Sequence, residues 1–285
     1  MRVPGRWASR PDNAEKILAV VDAARDVPAG IRYDVEILDK DERIPGTLIL
    51  PHSGVPVPAA LLLHGFGSTK ERMVHTIGQA LVRHGVAALA VDLPLHGGRS
   101  GSPNDLASGN PIRLLAAWRD AVREGRVALE YLASHDAVDA SRLGLVGYSL
   151  GSFVANIVAA DTPTVRALVL AASGDLPEGL PFESLVRSVV DPLRAVRRVE
   201  GRPLLMVNGR FDRTVKPSQA ERLFAQAAEP KTMRWYGGGH WPPPREIDYA
   251  AEWLARQLKA AEPSSRSSSP SRVSRIPRTR ASNDA

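Results

Sequence analysis

Between residues 59 and 260 the chain repeats one rhythm: a short apolar run, a loop rich in glycine or polar residues, then a stretch with helical spacing. The runs are AALLL (59–63), VAALAV (86–91), RLGLVG (142–147), VRALVLAA (165–172), PLLMVNG (203–209) and KTMRWY (231–236). Runs this short, with little polar alternation, read as strands buried on both faces. The helical stretches fall at 71–85, 112–135, 152–161, 173–201, 217–228 and 245–262. Strands alternating with helices build a mostly parallel sheet with helices on both faces and right-handed crossovers. Two further strands, 31–38 and 47–50, flank the turn DKDERIPG and are expected to pair antiparallel. The class is therefore α/β, with eight strands. Functional groups on such a sheet gather beyond the C-terminal ends of the strands. That leaves the loops after 63, 91, 147, 172, 209 and 236 to inspect.

With 285 residues, 44% of them hydrophobic, the chain can bury a sizeable core. No apolar run approaches the roughly 20 residues needed to cross a bilayer. The stretch ILAVVDAA (17–24) is short and followed by charge, so it reads as a helix and not as a signal peptide. Residues 1–30 are thus expected to form a helical extension, packed on the core or across a neighbouring copy, which leaves room for a homodimer. A cytoplasmic location follows from the same reading. The net charge of +6 raises the question of nucleic acid. However, half of the excess lies in the tail 262–285, where five arginines face only Glu262 and Asp284. This tail is rich in Ser, Arg and Pro and reads as disordered. No nucleic acid or membrane partner is expected. The folded domain spans 31–261. Absence of cysteine removes disulfides, thiol nucleophiles and thiolate metal sites.

The loop after the run at 142–147 reads Gly147-Tyr148-Ser149-Leu150-Gly151. A G-x-S-x-G between strand and helix places the serine at a strained turn with its hydroxyl in the open. The N–H groups that follow start a helix and face developing negative charge. Serine needs a base within hydrogen-bond reach and a third group to orient that base. The base is expected at His240, released from the last strand by three glycines in YGGGHW. Two acids compete for the third role: Asp212 in NGRFDRTV and Asp175 in AASGD, each just after a strand. Of the other histidines, His64 and His96 lie on strand-end loops, His64 bracing a glycine turn and His96 near the pocket. No histidine pair has metal-ligand spacing with an acid between, so no metal or other cofactor is expected.

The stretch LLLHGFGSTKE places a glycine turn after the strand at 59–63. It matches neither the P-loop nor the G-x-G-x-x-G fingerprint. Beside an exposed serine, the backbone N–H of Phe66 can join that of Leu150 in holding a tetrahedral oxyanion. Leu95, Trp241 and Phe66 are the expected apolar wall of a substrate pocket. Residues 173–201 are too short for a full lid; one or two cover helices there would carry Leu176, Leu180, Phe182, Leu185 and Val189, either over the pocket or as packing.

The segments LLLHGFGSTKE, AVDLPLHGGRS, VDASRLGLVGYSLG, NGRFDRTV and GGGH together resemble the α/β-hydrolase superfamily. Within it the chain looks like serine esterases related to dienelactone hydrolases and to the catalytic domain of prolyl-oligopeptidase-type enzymes. The resemblance covers about 31–260. It implies Ser149 as nucleophile, Asp212 as acid, His240 as base, and Phe66 and Leu150 as oxyanion donors. Dienelactone hydrolases use cysteine where this chain has Ser149. The resemblance implies hydrolysis of a small to medium acyl ester through an acyl-serine. A serine peptidase or amidase would use the same residues, and a non-catalytic binding scaffold would leave Ser149 inert.

Overall fold

The computed structural model describes residues 19–39, 42–107, 111–179 and 183–260. Among them nine strands form one sheet in the order β1-β2-β3-β5-β4-β6-β7-β8-β9. The central strands are β4 (Val57–Leu63), β5 (Ala87–Val91), β6 (Val138–Tyr148), β7 (Val165–Ala171) and β8 (Leu204–Gly209). Every residue of β4, β5 and β8 is buried, which is why these strands read as unbroken apolar runs. From β5 through β9 (Lys231–Tyr236) all pairs are parallel. The edge strand β9 is mostly half-buried, with only Tyr236 fully buried.

The N-terminal side of the sheet is antiparallel. β2 (Gly30–Asp39) pairs with β3 (Glu42–Leu50), and β3 pairs antiparallel with β5. The helix expected at 17–24 is not there. Residues Ala19–Val27 form strand β1, which pairs with β2 and makes the sheet nine-stranded where eight strands were expected. Val27 lies opposite Gly30, so only Pro28 and Ala29 make the turn. Three valines, a tight hairpin turn and the otherwise open edge of β2 outweigh a helical pattern only two turns long. The remainder of the expected N-terminal extension, and the tail 262–285, lie outside the described residues.

Helices cover both faces. After β4 a continuous helical segment runs from α1 (Lys70–Met73) through a π-helical turn (Val74–Gly78) to α2 (Gln79–Arg83). With α8 (Pro244–Ala260) it buries one face through Met73, Ile77, Leu81, Ala251 and Leu254. The other face is covered by α3 (Pro111–Ser134), α4 (Leu150–Asp161), α6 (Pro192–Arg197) and α7 (Pro217–Gln226), through Leu129, Val154, Val158, Val196 and Leu223 among others. The chain therefore leaves β4 toward one face and β6 toward the other, although these strands are neighbours. Such a divergence opens a crevice at their C-terminal ends, where ligands sit in open α/β sheets.

Of the two roles left open for 173–201, cover over the pocket or packing, the described residues show packing. Leu176, Val186 and Val190 form a small separate core, joined by Val189 of α5 (Glu183–Val189) and by Trp118 and Phe153 of the main body. Leu185 is exposed. Leu180 and Phe182 fall outside the described residues.

Candidate active site

Ser149 stands between the last residue of β6 and the first of α4, at φ 50° and ψ −117°. A side chain in the left-handed region is strained and persists only where the surroundings over-determine it. Here they do. The Ser149 N–H donates to the Ala171 carbonyl at 2.9 Å, and its own carbonyl accepts from Ser152 Oγ at 2.6 Å. The flanking glycines are obligatory. A Cβ on Gly147 would lie 2.4 Å from the Gly151 carbonyl oxygen, and one on Gly151 would lie 2.2 Å from that of Leu63.

His240 leaves β9 through Gly237, Gly238 and Gly239. Its Nε2 lies 2.9 Å from Ser149 Oγ, and its Nδ1 lies 2.8 Å from Asp212 Oδ2. The carboxylate only accepts, so Nδ1 carries the proton and Nε2 is free to accept from the serine hydroxyl. The Asp212 side chain is fully buried. Its other oxygen accepts from the N–H groups of Thr214 and Val215, at 2.8 and 3.0 Å. Three groups far apart in sequence thus form one hydrogen-bonded line from Oγ to the carboxylate.

The rival acid is engaged elsewhere. Asp175 is buried, and its carboxylate pairs with Arg187 at 3.0 Å and with Arg222 at 3.2 Å. The two arginines come from α5 and α7, and the pairing closes the loop after β7.

The glycine turn lies directly against Ser149. A Cβ on Gly65 would come within 2.8 Å of the Tyr148 ring and 3.1 Å of Ser149 Cβ. Phe66 follows Gly65 in this turn, and Leu150 is the first residue of α4. His64 fixes the turn from beneath, as expected of it. It is fully buried, its Nε2 accepts from the Leu93 N–H at 3.0 Å, and its Nδ1–H donates to the Gly65 carbonyl at 2.8 Å. Burial holds its pKa down to about 4, so the ring is neutral at pH 7. His96 is also buried; it donates from Nδ1 to Pro94 and meets the half-exposed Phe66 ring edge-on at 5.7 Å.

Leu95 and Trp241 do not share a cavity. Trp241 lines an apolar one of about 200 Å³ with Met73, Ile77, Val146 and Tyr148. Leu95, at φ 66°, instead borders a larger groove of about 800 Å³ whose lining includes Arg99, Asp120, Arg123 and Glu124. The left-handed turn at Leu95 lays its side chain toward Gly101.

The sequence reading passed over two residues of this rim. Tyr148 fills a slot that the motif leaves free, yet its hydroxyl donates to the His240 carbonyl at 3.2 Å and its ring stacks on Trp241 at 4.9 Å. Burial and the nearby Tyr236 and Asp212 oxygens raise its pKa, so the phenol stays protonated. Asp92 is buried and accepts from the backbone N–H of Lys70 and of Gly98, tying the loop after β5 to the start of α1. A lone acid after a strand gave no signal that would separate it from Asp175 or Asp212.

Similar proteins agree with this architecture. An uncharacterized protein of Mycobacterium tuberculosis, MT2364, is 30% identical over 219 residues, which cover 74% of this chain and 72% of that one. The solved structure of acetyl xylan esterase 1 from Thermoanaerobacterium superposes with a TM-score of 0.70 at 18% identity, over 85% of this chain and 89% of the esterase. A cold-adapted esterase from an Arctic intertidal metagenomic library gives 0.67 at 19% identity, over 82% and 97%. The family model described as the alpha/beta hydrolase family matches residues 60–265. With the sheet order, the strained serine turn and this match in agreement, the chain belongs to the alpha/beta hydrolase family.

Proposed function

We propose that the chain is a serine hydrolase that cleaves a small to medium acyl ester through an acyl-serine intermediate. The observation that supports this most is the line Ser149 Oγ–His240 Nε2–Asp212, with contacts of 2.9 and 2.8 Å. In this reading Ser149 Oγ attacks the ester carbonyl while His240 Nε2 takes its proton. The backbone N–H groups of Phe66 and Leu150 hold the oxyanion. His240 then gives the proton to the departing alkoxide as the C–O bond breaks, leaving the acyl group on Ser149. Water enters and attacks the acyl carbon while His240 takes one of its protons, and His240 returns that proton to Ser149 Oγ as the acyl C–O bond breaks, releasing the acid. Asp212 keeps the proton on Nδ1 and stabilises the imidazolium formed in each half. The esterase structures that share this fold favour an ester, and comparison of matched nitrophenyl esters and aminoacyl anilides tests that choice; the ester is expected to turn over faster.

The direct test is Ser149→Ala assayed on p-nitrophenyl acetate. A fall in kcat of about 10⁴ or more is expected. Activity equal to that of the parent chain would remove Ser149 from the reaction.

A further inference from the structure

The cavity beside Trp241 has chemistry that acyl transfer alone leaves unused. Three of its lining residues adjoin the proposed machinery: Tyr148 precedes Ser149, Trp241 follows His240, and Ser68 donates its backbone N–H to Gly65 of the glycine turn. Its far wall is Met73, Ile77 and Ile247, from α1, the π-helical turn and α8. At about 200 Å³ it exceeds the roughly 150 Å³ in which a dry apolar cavity accepts benzene, so it can take a chain of about six carbons.

One lining residue is charged, and that is Arg72. Its guanidinium lies over the Trp241 ring, 4.1 Å from the centroid. A guanidinium over an aromatic ring keeps N–H donors available to a carboxylate. The acids around it are already committed. Glu71 pairs with Arg32 and Lys70, Asp92 with Lys70, and Glu246 with Arg234 and Arg245. Among the described residues no carboxylate pairs with Arg72.

We propose that this cavity is the acyl subsite and that Arg72 selects acyl groups ending in a carboxylate, as in a half-ester of a dicarboxylic acid. The inference rests on the acyl-transfer reading of Ser149. The methylene chain lies against Ile77, Val146 and Met73, and the far carboxylate accepts from the exposed Arg72 guanidinium. The ester C–O bond breaks as above, so the products are an alcohol and a free dicarboxylate.

The test compares kcat/KM for the mono-p-nitrophenyl ester of adipic acid with that for p-nitrophenyl hexanoate, in the parent chain, Arg72→Gln and Arg72→Lys, at low and high salt. The parent is expected to favour the adipate ester by about tenfold at low salt, mainly through KM, since a charge-assisted hydrogen bond carries about that much discrimination. Arg72→Gln should bring the ratio of the two esters close to one, Arg72→Lys should restore part of it, and salt should narrow it. Across a neutral series from acetate to dodecanoate, kcat/KM should peak near six carbons. Equal kcat/KM for the two esters in the parent, the same ratio in Arg72→Gln, or no dependence on chain length would each overturn the proposal while leaving the acyl-transfer reading intact. No turnover of any ester, together with an unlabelled Ser149 after fluorophosphonate treatment, would instead overturn that reading.

Discussion

Two aspartates stand on neighbouring strand ends of this sheet, and they are used in opposite ways. Asp175, after β7, is closed between Arg187 and Arg222; Asp212, after β8, accepts from two amides and from His240. Both are buried and both follow an apolar run. The histidines divide in the same way. His64 is sealed under the glycine turn with both nitrogens occupied by backbone, whereas His240 keeps 18% of its side chain exposed and faces a hydroxyl and a carboxylate. Residue type and strand-end position do not separate the member of each pair that is closed off from the one that faces Ser149 or His240. The partner supplied by another part of the chain does.

That division can be tested by exchanging what each residue loses. The largest effects belong to the line of three. Ser149→Ala and His240→Ala should each lower kcat by about 10⁴ or more, and Asp212→Asn by about 10³ to 10⁴, with thermal midpoints close to the parent. Steady-state kinetics alongside thermal melts reads both quantities. Asp175→Asn should behave the other way, because it turns one buried acceptor oxygen into an NH2 donor facing Arg187 and Arg222, which keep Glu183 and Glu178 as partners. It should cost about 3 kcal/mol of stability in a urea titration while kcat stays within a few-fold. A thousand-fold loss of kcat in Asp175→Asn would exchange the two roles.

Next in size is the acid limb of stability. His64 is held neutral with a folded pKa of about 4, below the 6.5 of a free histidine. The unfolded chain therefore binds a proton that the folded chain refuses. The stability from this group is complete above pH 6.5 and is lost as pH falls from 6.5 towards 4, by about 3 kcal/mol in all. Denaturant titrations between pH 7 and 4 should show that slope, and His64→Gln should flatten it while starting from a lower stability. An unchanged slope in the variant would assign the acid sensitivity to another group. The smallest effect is on the antiparallel side of the sheet. Removing the exposed pair of Arg43 and Glu36 across β2 and β3 should change stability by about 0.5 kcal/mol or less, and activity not at all.

The same contrast explains what could be read from the sequence. The parallel strands β4 to β8 were legible because burial on both faces writes continuous apolar runs, and their C-terminal loops then limited where chemistry could occur. Ser149 was legible because its strained turn demands Gly147 and Gly151. β1 was not, because Ala19–Val27 holds too few residues for its periodicity to separate helix from strand; the open edge of β2, a feature of the assembled sheet, decides it. Asp212 and Asp175 stayed level for a related reason. The arginines that claim Asp175 lie 12 and 47 residues away from it. Arg72 and Tyr148 carried no signal at all, one being a surface residue of a helix and the other a variable slot in a motif.

The central claim is that His240 activates Ser149 as a nucleophile, and covalent capture tests it most directly. The parent chain would be treated with a fluorophosphonate and digested, and the modified peptide identified by mass spectrometry. The account predicts a single adduct on Ser149 that disappears in Ser149→Ala and slows by orders of magnitude in His240→Ala. An unmodified Ser149, or labelling as fast without His240 as with it, would contradict it.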